Sequence, residues 1–259
     1  MITKRIIDEK GIDQTEDTVL VLGYFDGLHK GHQALFEKAR EIATEQGLKI
    51  AVLTFPESPK LAFVRYQPEL MLHLASPEDR MAQLESLGVD YLYLIDFTSH
   101  FAGNTARDFF EEYVSRLRAK AVVAGFDYHF GSDRKESHEL RDYFNGKIVI
   151  VPSVNLDNRK ISSTRIRETI AVGDMLKTQE LLGYPLSTRG IVVHGNARGR
   201  TIGYPTANLA PLDRVRLPGD GVYVADVEHN GQRYRGMASV GKNVTFDGDE
   251  LRFEVNIFD

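Results

Sequence analysis

The stretch VLVLGYFDGLHKGHQALF, residues 19–36, contains an apolar run, a glycine-rich turn with two histidines, and the start of a helix. The run VLVLGYF at 19–25 is continuously apolar, β-branched or aromatic, which predicts a buried strand. From Lys30 to Gln46 the apolar residues instead recur every three to four positions, which predicts a helix that Gly47 ends. A helix that begins directly after a strand points its unpaired N–H groups at the intervening turn, where an anion such as a phosphate can bind.

Strands and amphipathic helices continue to alternate along the first 184 residues. Further strands are predicted at 49–55, 91–95, 121–125 and 147–151, and helices at 77–87, at 105–117 and, after a polar turn, within 161–182. This alternation predicts an α/β fold in which helices cover the faces of a mostly parallel sheet. After Pro185 the pattern changes to short strands between glycine-rich turns, which is typical of an all-β domain. We therefore predict two domains, residues 1–184 and 185–259.

The composition is that of an ordinary globular protein, with 42% apolar and 27% charged residues. No apolar run reaches the roughly 18 residues of a membrane-spanning helix, and MITKRIIDEK lacks an apolar signal segment, so we expect a cytoplasmic protein without a membrane partner. A net charge of -5 offers no general attraction for nucleic acid, and no obligate protein partner is evident. Because the chain has no cysteine, thiolate ligands are excluded, and a hard cation such as magnesium suits the remaining ligands best.

The turn after the first predicted strand is the first candidate site. Its glycines, Gly23, Gly27 and Gly31, remove side chains where the backbone turns sharply or approaches a ligand. His29 and His32 are three residues apart, so in a helical turn they project from the same side and can both donate to phosphate oxygens. The alternatives are a plain tight connection with surface histidines, or a metal site, for which no third or fourth ligand lies at a familiar spacing.

The segment ISSTRIR, residues 161–167, is the second candidate site. Its hydroxyl side chains precede an amphipathic helix, where they can cap unpaired N–H groups. Arg165 and Arg167 would lie in the first turn, where the helix dipole disfavours cations, which indicates that they bind an external anion. The alternative is an ordinary helix cap with solvated arginines.

A third candidate site lies in HGNARGRTIGYPTANL, residues 194–209, between two predicted strands. Thr206 and Asn208 are two residues apart, so in a strand they face the same side and can share one hard cation. The alternative is a polar surface loop in which Arg198 and Arg200 are solvated.

The first two segments resemble a known family. The pattern formed by Gly23, Phe25, Asp26, Gly27, His29, Gly31 and His32 resembles the signature of prokaryotic FAD synthetases, within the HxGH nucleotidylyltransferase superfamily. The resemblance implies a Rossmann-like, doubly wound parallel sheet that binds ATP and transfers AMP to FMN.

Other segments of the first half are also similar to this family. ISSTRIR resembles its Ser/Thr-Arg motif, which implies that Ser163, Thr164 and Arg165 hold the β- and γ-phosphates of ATP. GFDYHFG, residues 125–131, is similar to the segment after the family's fourth strand, which implies that Asp127 and Phe130 bind nucleotide or flavin. TFPESP, residues 54–59, departs from the family pattern because Ser58 replaces a common histidine, so no role is carried over there.

The chain from Gly190 onward resembles riboflavin kinase, which implies a small all-β barrel. The resemblance implies that Thr206 and Asn208 coordinate magnesium and that Glu254 takes the proton from the ribityl hydroxyl; in a strand with alternating polarity, Glu254 would otherwise simply face solvent. It also implies nucleotide contacts for a further set of residues in this segment: Gly195, Arg200 and Pro205. The family's kinase domain continues beyond the equivalent of Asp259, so we expect the C-terminal part of the barrel to be missing from this chain.

Together the motifs imply a bifunctional riboflavin kinase and FMN adenylyltransferase, with ATP, riboflavin and FMN as substrates and magnesium as cofactor. His29, His32 and Arg165 are the predicted catalytic residues of the adenylyl transfer, and Glu254 that of the kinase. The alternatives are an adenylyltransferase for a different phosphate ester, and a monofunctional FMN adenylyltransferase whose C-terminal domain only binds flavin or regulates.

Overall fold

The computed structural model describes residues 1–194, 205–242 and 251–258. The chain divides into two compact units, one of Met1–Met71 with Pro77–Ser163 and the other of Leu72–Ser76 with Thr164–Asp259. The predicted domain boundary near Pro185 falls within the second unit and stays a prediction.

The first unit is built on a parallel sheet. Its longer strands are β1 (Ile2–Ile6), β2 (Thr18–Leu22), β3 (Lys49–Thr54), β4 (Tyr91–Ile95), β5 (Ala119–Gly125) and β8 (Lys147–Val151). Four two-residue strands form two antiparallel pairs: β6 (His129–Phe130) with β7 (Lys135–Glu136), and β9 (Asn155–Leu156) with β10 (Arg159–Lys160). Six of these strands form one sheet in the order β1-β4-β3-β2-β5-β8, and every neighbouring pair is parallel. The predicted parallel α/β fold is confirmed.

The strand order places a crevice beside β2. The chain passes from β2 to β3 and β4 on one side, and then returns to β5 on the other side of β2. Ligands of open α/β sheets bind at such a reversal, outside the carboxyl ends of the two strands. The turn that begins at Gly23 follows β2 and the segment that begins at Phe126 follows β5, so both predicted motifs lie at this edge.

The helices agree with the predicted positions, with two differences in detail. They are α1 (Lys30–Gln46), α2 (Pro77–Ser86), α3 (Ser99–Gly103), α4 (Ala106–Asp108), α5 (Ser163–Ala171) and α6 (Met175–Leu182), with 3₁₀ turns at Glu9–Gly11, Pro59–Ala62, Pro68–Met71 and Ser137–Asp142. The helix predicted at 105–117 is α4, which Thr105 caps, continued by a π-helix over Phe109–Val114. The helical region within 161–182 is two helices, because Gly173 adopts a left-handed φ of 75° between them.

Two further differences concern strands. The strand predicted at 19–25 ends at Leu22, because Phe25 has a left-handed φ of 58° that turns the chain out of the sheet. The edge strand β1 is not predicted from the sequence.

In the described part of the chain, no helix combines the length and the hydropathy that crossing a membrane requires.

The second unit contains an antiparallel sheet, as predicted for an all-β region. Its strands are β11 (Gly190–Val193), β12 (Ala207–Pro211), β13 (Gly221–His229), β14 (Gln232–Lys242) and β15 (Leu251–Ile257). They are arranged in the order β11-β12-β15-β14-β13, and all their pairs are antiparallel. One face of this sheet carries a core formed by Ala238, Val240, Phe253 and Val255.

Candidate active sites

The turn after β2 is held in shape by a buried aromatic side chain. Phe25 is 1% exposed; its ring lies edge-on against His32 at 5.3 Å between centroids and is tilted against Phe36 at 5.2 Å. A Cβ atom on Gly23 would lie 2.6 Å from the Phe25 ring, so this glycine makes room for the ring. Gly27 adopts a φ of 74°, which favours glycine there. Phe25 therefore supports the turn from beneath, and its predicted contact with nucleotide stays a prediction.

His29 and His32 form a stacked pair at the N-terminus of α1. Their ring centroids are 3.7 Å apart, with 12° between the planes, which confirms that the two side chains lie on the same side. His29 is the N-cap of α1, and its Nδ1 accepts a hydrogen bond from the main-chain N–H of His32 at 3.2 Å. Because Nδ1 accepts, the proton of a neutral His29 ring must be on Nε2, which can then donate to a ligand.

Both rings are neutral near pH 7. Burial lowers the pKa of His29 to about 4, with a smaller lowering from Lys160, opposed by a backbone hydrogen bond and by Asp127. Burial also lowers the pKa of His32 well below its ordinary value, helped by the positive charges of Arg80 and Lys160 and by His29. The pair can therefore offer N–H donors to an anion without carrying charge.

The structure also addresses the alternative that these histidines bind a metal. Among the described residues, the His and carboxylate side chains close enough to share an ion are Glu9, His100 and Glu112. That group includes neither His29 nor His32.

A hydrogen bond joins the second motif to the first. Ser163 begins α5, and its hydroxyl donates to the main-chain oxygen of Asp26 at 3.3 Å. Asp26 is itself buried, at 4% exposed. Along the same helix, Thr164 is exposed and Arg165 is buried at 7% exposed. The phosphate-binding roles of Ser163, Thr164 and Arg165 stay predictions.

The segment after β5 contains one exposed and one buried candidate. Asp127 pairs with Lys160, with Oδ2 and Nζ 2.5 Å apart, and Lys160 also lies 4.5 Å from the ring centroid of Phe126. Phe130 is only 5% exposed and packs against Phe110 at 5.6 Å between centroids. Its ring thus belongs to the core beside the crevice, whereas Asp127 and Lys160 face the surface.

A cavity of about 280 Å³ lies at the same sheet edge as the turn. Its lining combines Arg5 of β1 with residues that follow β3 and β4: Pro56, Glu57, Ser58, Leu61, Ala62, Asp96 and Phe97. Ser58, the residue that departs from the family pattern, is therefore part of a cavity wall.

In the second unit, the predicted kinase residues lie together. The Thr206 hydroxyl donates to Glu254 Oε2 at 3.1 Å, and Asn208 is the cross-strand partner of Glu254 in the pairing of β12 with β15. The main-chain oxygen of Pro205 accepts a hydrogen bond from the Asn256 side chain at 2.6 Å, which ties this end of β12 to β15. Thr206, Asn208 and Glu254 offer a hydroxyl, an amide and a carboxylate oxygen, the kinds of ligand that a hard cation prefers, so these residues fit magnesium. Gly195 and Arg200 lie outside the described residues.

Sequence reasoning does not identify two charged residues near the first site, Arg80 and Lys160. Both are cations whose charge helps to keep His32 neutral. Lys160 directly precedes the ISSTRIR motif, and that position is the only signal in the sequence that points to it.

Comparison with known proteins covers both halves of the chain. The family model described as FAD synthetase matches residues 11–165, and the model described as riboflavin kinase matches residues 182–259. The match to both models supports two activities over the monofunctional alternative.

Individual relatives agree with the family models. The bifunctional riboflavin kinase/FMN adenylyltransferase of Listeria monocytogenes is 40% identical over 245 residues, which cover 93% of this chain and 78% of the relative. The protein of the same description from Bacillus subtilis is 37% identical over 253 residues, which cover 95% of this chain and 80% of the relative.

A solved structure has the same fold along the whole chain. It is the crystal structure of a Streptococcus pneumoniae protein described as a macrolide-efflux protein, with 57% identity and a TM-score of 0.96, covering 100% of this chain and 85% of that one. With both family models matched in order, and relatives of this identity and coverage, the chain belongs to the bifunctional riboflavin kinase/FMN adenylyltransferase family.

Proposed function

We propose that two separate groups of residues carry the two reactions of this transferase. One reaction phosphorylates riboflavin to FMN with ATP, and the other transfers AMP from ATP to FMN, giving FAD and pyrophosphate. The observation that carries the proposal is the placement of the motifs: the turn with His29 and His32 follows a parallel strand in one unit, and Thr206 contacts Glu254 on an antiparallel sheet in the other.

For adenylyl transfer, a phosphate oxygen of FMN attacks the α-phosphorus of ATP, and the bond to the departing pyrophosphate breaks. His29 and His32 donate from neutral rings to the phosphate oxygens that gain charge. The N-terminus of α1 and the main chain of the turn, at Gly23, Asp26, Gly27 and Gly31, add fixed dipoles around the same anion. Donors that are already in place stabilise the transition state without reorganising, so positioning and electrostatics supply most of the catalysis.

The second motif would hold the leaving group. Ser163, Thr164 and Arg165 bind the β- and γ-phosphates, and the hydrogen bond from Ser163 to Asp26 supports this assignment because it links the two phosphate-binding segments. Arg165 is the charged member, and its fixed positive charge offsets the charge of the departing pyrophosphate.

For phosphorylation, Glu254 accepts the proton of the riboflavin 5'-hydroxyl while that oxygen attacks the γ-phosphorus of ATP and ADP leaves. The hydrogen bond from Thr206 orients the Glu254 carboxylate, which is the proposed base. Thr206 and Asn208 would hold magnesium through their side-chain oxygens, and the ion would neutralise phosphate charge.

Product analysis of matched variants tests the assignment. The protein is incubated with ATP, magnesium and either riboflavin or FMN, and the flavins are separated by chromatography. Glu254→Gln should stop FMN formation from riboflavin but leave FAD formation from FMN within about twofold of the wild type. His32→Ala should lower FAD formation about a hundredfold, as expected for a lost charge-stabilising donor, and leave FMN formation within about twofold. If either variant stopped both reactions while the protein remained folded, the two groups would not be separate sites.

A further inference from the structure

Arg80 is a buried cation beside the phosphate-binding turn. It lies on α2 and is 9% exposed. Its Nη1 donates to the main-chain oxygen of Phe55 at 2.8 Å, and its Nη2 donates to Thr54 Oγ1 at 2.8 Å and to the main-chain oxygen of Tyr24. The Thr54 hydroxyl itself donates to the Tyr24 oxygen at 3.0 Å. One guanidinium thus ties the end of β3 to the first residues of the turn after β2.

We propose that Arg80, together with the Thr54 hydroxyl, is a positioning residue for adenylyl transfer: it fixes the main chain at Tyr24 and thereby the placement of His32. The proposal rests on the function proposed for the turn. Arg80 acts through the turn, because its guanidinium donates to the main-chain oxygen of Tyr24, the first residue of the turn after Gly23, and to the Thr54 hydroxyl that contacts the same oxygen.

The path from Arg80 to His32 is short. Tyr24 is bonded to Phe25, which holds a left-handed φ of 58° and whose ring is in edge contact with His32 at 5.3 Å. A small movement of the Tyr24 carbonyl therefore moves the ring on which His32 rests. Two links in this path are not covalent: the hydrogen bond from Arg80 to the main-chain oxygen of Tyr24, and the contact between the rings of Phe25 and His32.

The same placement has an electrostatic consequence. Burial lowers the pKa of the Arg80 guanidinium, while Tyr24, Asp26 and Glu57 raise it. The charge of Arg80 in turn contributes to the lowered pKa of His32. Arg80 therefore acts on His32 through the contact with Phe25 and through its charge, and both effects keep a neutral donor in a fixed place.

A purely structural residue would not need to be an arginine. Burying a guanidinium is costly, and replacing a buried ion by an apolar residue of similar size is often neutral or stabilising for a fold. Sequence reasoning would place a charged residue of α2 on the solvent face. Arg80 is instead buried at the carboxyl edge of the sheet, beside the candidate site. Its role in positioning the main chain at Tyr24 explains this placement better than a purely structural role.

Two pairs of variants test the proposal. Arg80→Met removes the donors and keeps an apolar side chain of similar reach, and Arg80→Lys keeps the charge without the planar fork. Thr54→Val removes the hydroxyl but nearly preserves the shape of the side chain, and Thr54→Ser keeps the hydroxyl. Arg40→Met is the matched control, because Arg40 is an exposed arginine whose Nη2 donates to a main-chain oxygen, that of Leu87, away from the turn.

The readouts are kcat and KM for FAD formation from FMN, and the rate of FMN formation from riboflavin by the same preparation. We expect Arg80→Met and Thr54→Val to lower kcat for FAD formation at least tenfold, with KM values for ATP and FMN changed less than threefold. Thr54→Ser and Arg40→Met should remain within twofold of the wild type, and FMN formation should be unchanged in all variants.

Two results would overturn the proposal. One is a kcat for FAD formation within twofold of wild type in both Arg80→Met and Thr54→Val. The other is a parallel fall in FMN and FAD formation, because it would show that these residues only maintain the fold. If instead His32→Ala kept full FAD formation, the proposed function of the turn would fail, and that result is independent of the Arg80 variants.

Discussion

The imidazole rings of His29 and His32 are stacked 3.7 Å apart, and Nδ1 of His29 accepts the main-chain N–H of His32. A protonated His29 would lose this acceptor, and with it the N-cap of α1. Two protonated rings at this separation would also repel each other, and the nearby cations Arg80 and Lys160 would add to the repulsion. The geometry therefore explains why both rings are neutral, in agreement with their lowered pKa values.

The first prediction concerns the ionisation of His29. Nitrogen NMR of histidine-labelled protein should show the Nε2–H tautomer and a pKa near 4 for this ring. The His29→Asn variant assigns the resonance, and it retains a side-chain oxygen that can cap α1. Observation of the Nδ1–H tautomer, or of a pKa near 6.5, would contradict the structure.

The second prediction follows from the first by linkage. Because the pKa of His29 is about 4 in the folded protein and 6.5 in the unfolded chain, the unfolded chain binds more protons between these values. The contribution of His29 to the free energy of unfolding is fully present above about pH 6.5 and is lost as the pH falls towards 4. The upper limit of this loss is about 3 kcal/mol. Urea unfolding should show a weaker loss of stability over this range in His29→Asn than in the wild type. Equal pH slopes for the two proteins would contradict the prediction.

The third prediction concerns the contact between Thr206 and Glu254. Thr206→Val removes both the hydrogen bond and a proposed magnesium ligand, so FMN formation should fall at least tenfold and require a higher magnesium concentration. Thr206→Ser should behave like the wild type. Chelation of magnesium by EDTA should stop FMN formation, and its return should restore it. The proposed role of Thr206 would be wrong if the valine variant kept the wild-type rate and the wild-type magnesium dependence.

The secondary structure can be predicted where local chemistry defines it. α1 is predicted to the residue because the apolar spacing begins after the turn and because Gly47 takes the left-handed φ of 66° that ends a helix. β1 escapes prediction because ITKRI is polar, and its strand conformation depends on pairing with β4. The π-helix at Phe109–Val114 escapes it because the spacing of apolar residues does not reveal which carbonyl each N–H will select.

In the candidate sites too, some residues can be predicted from the sequence and others only from the folded structure. The motifs around His29, Ser163 and Thr206 can be found in the sequence because their residue types are unusual at that spacing. Arg80 cannot be found in this way, since a charged residue in an amphipathic helix usually faces solvent. Its partners include main-chain oxygens of Tyr24 and Phe55, a group that every residue has, so only the folded chain reveals the contact.

The fourth prediction concerns Asp127, which pairs with Lys160 at the end of β5. Both side chains are substantially exposed, at 56% and 39%, and exposed ion pairs contribute only about 0–1 kcal/mol to stability. Asp127→Asn should therefore lower the melting temperature by less than about 4 °C. If Asp127 binds a substrate, the variant should raise one KM in FAD formation about tenfold, which corresponds to about 1.4 kcal/mol. A change in the KM of ATP would assign Asp127 to the nucleotide, and a change in that of FMN would assign it to the flavin. Asp142→Asn, at an exposed aspartate, is the matched control. If neither KM changes by more than twofold, Asp127 has no binding role and its pairing with Lys160 is a surface contact.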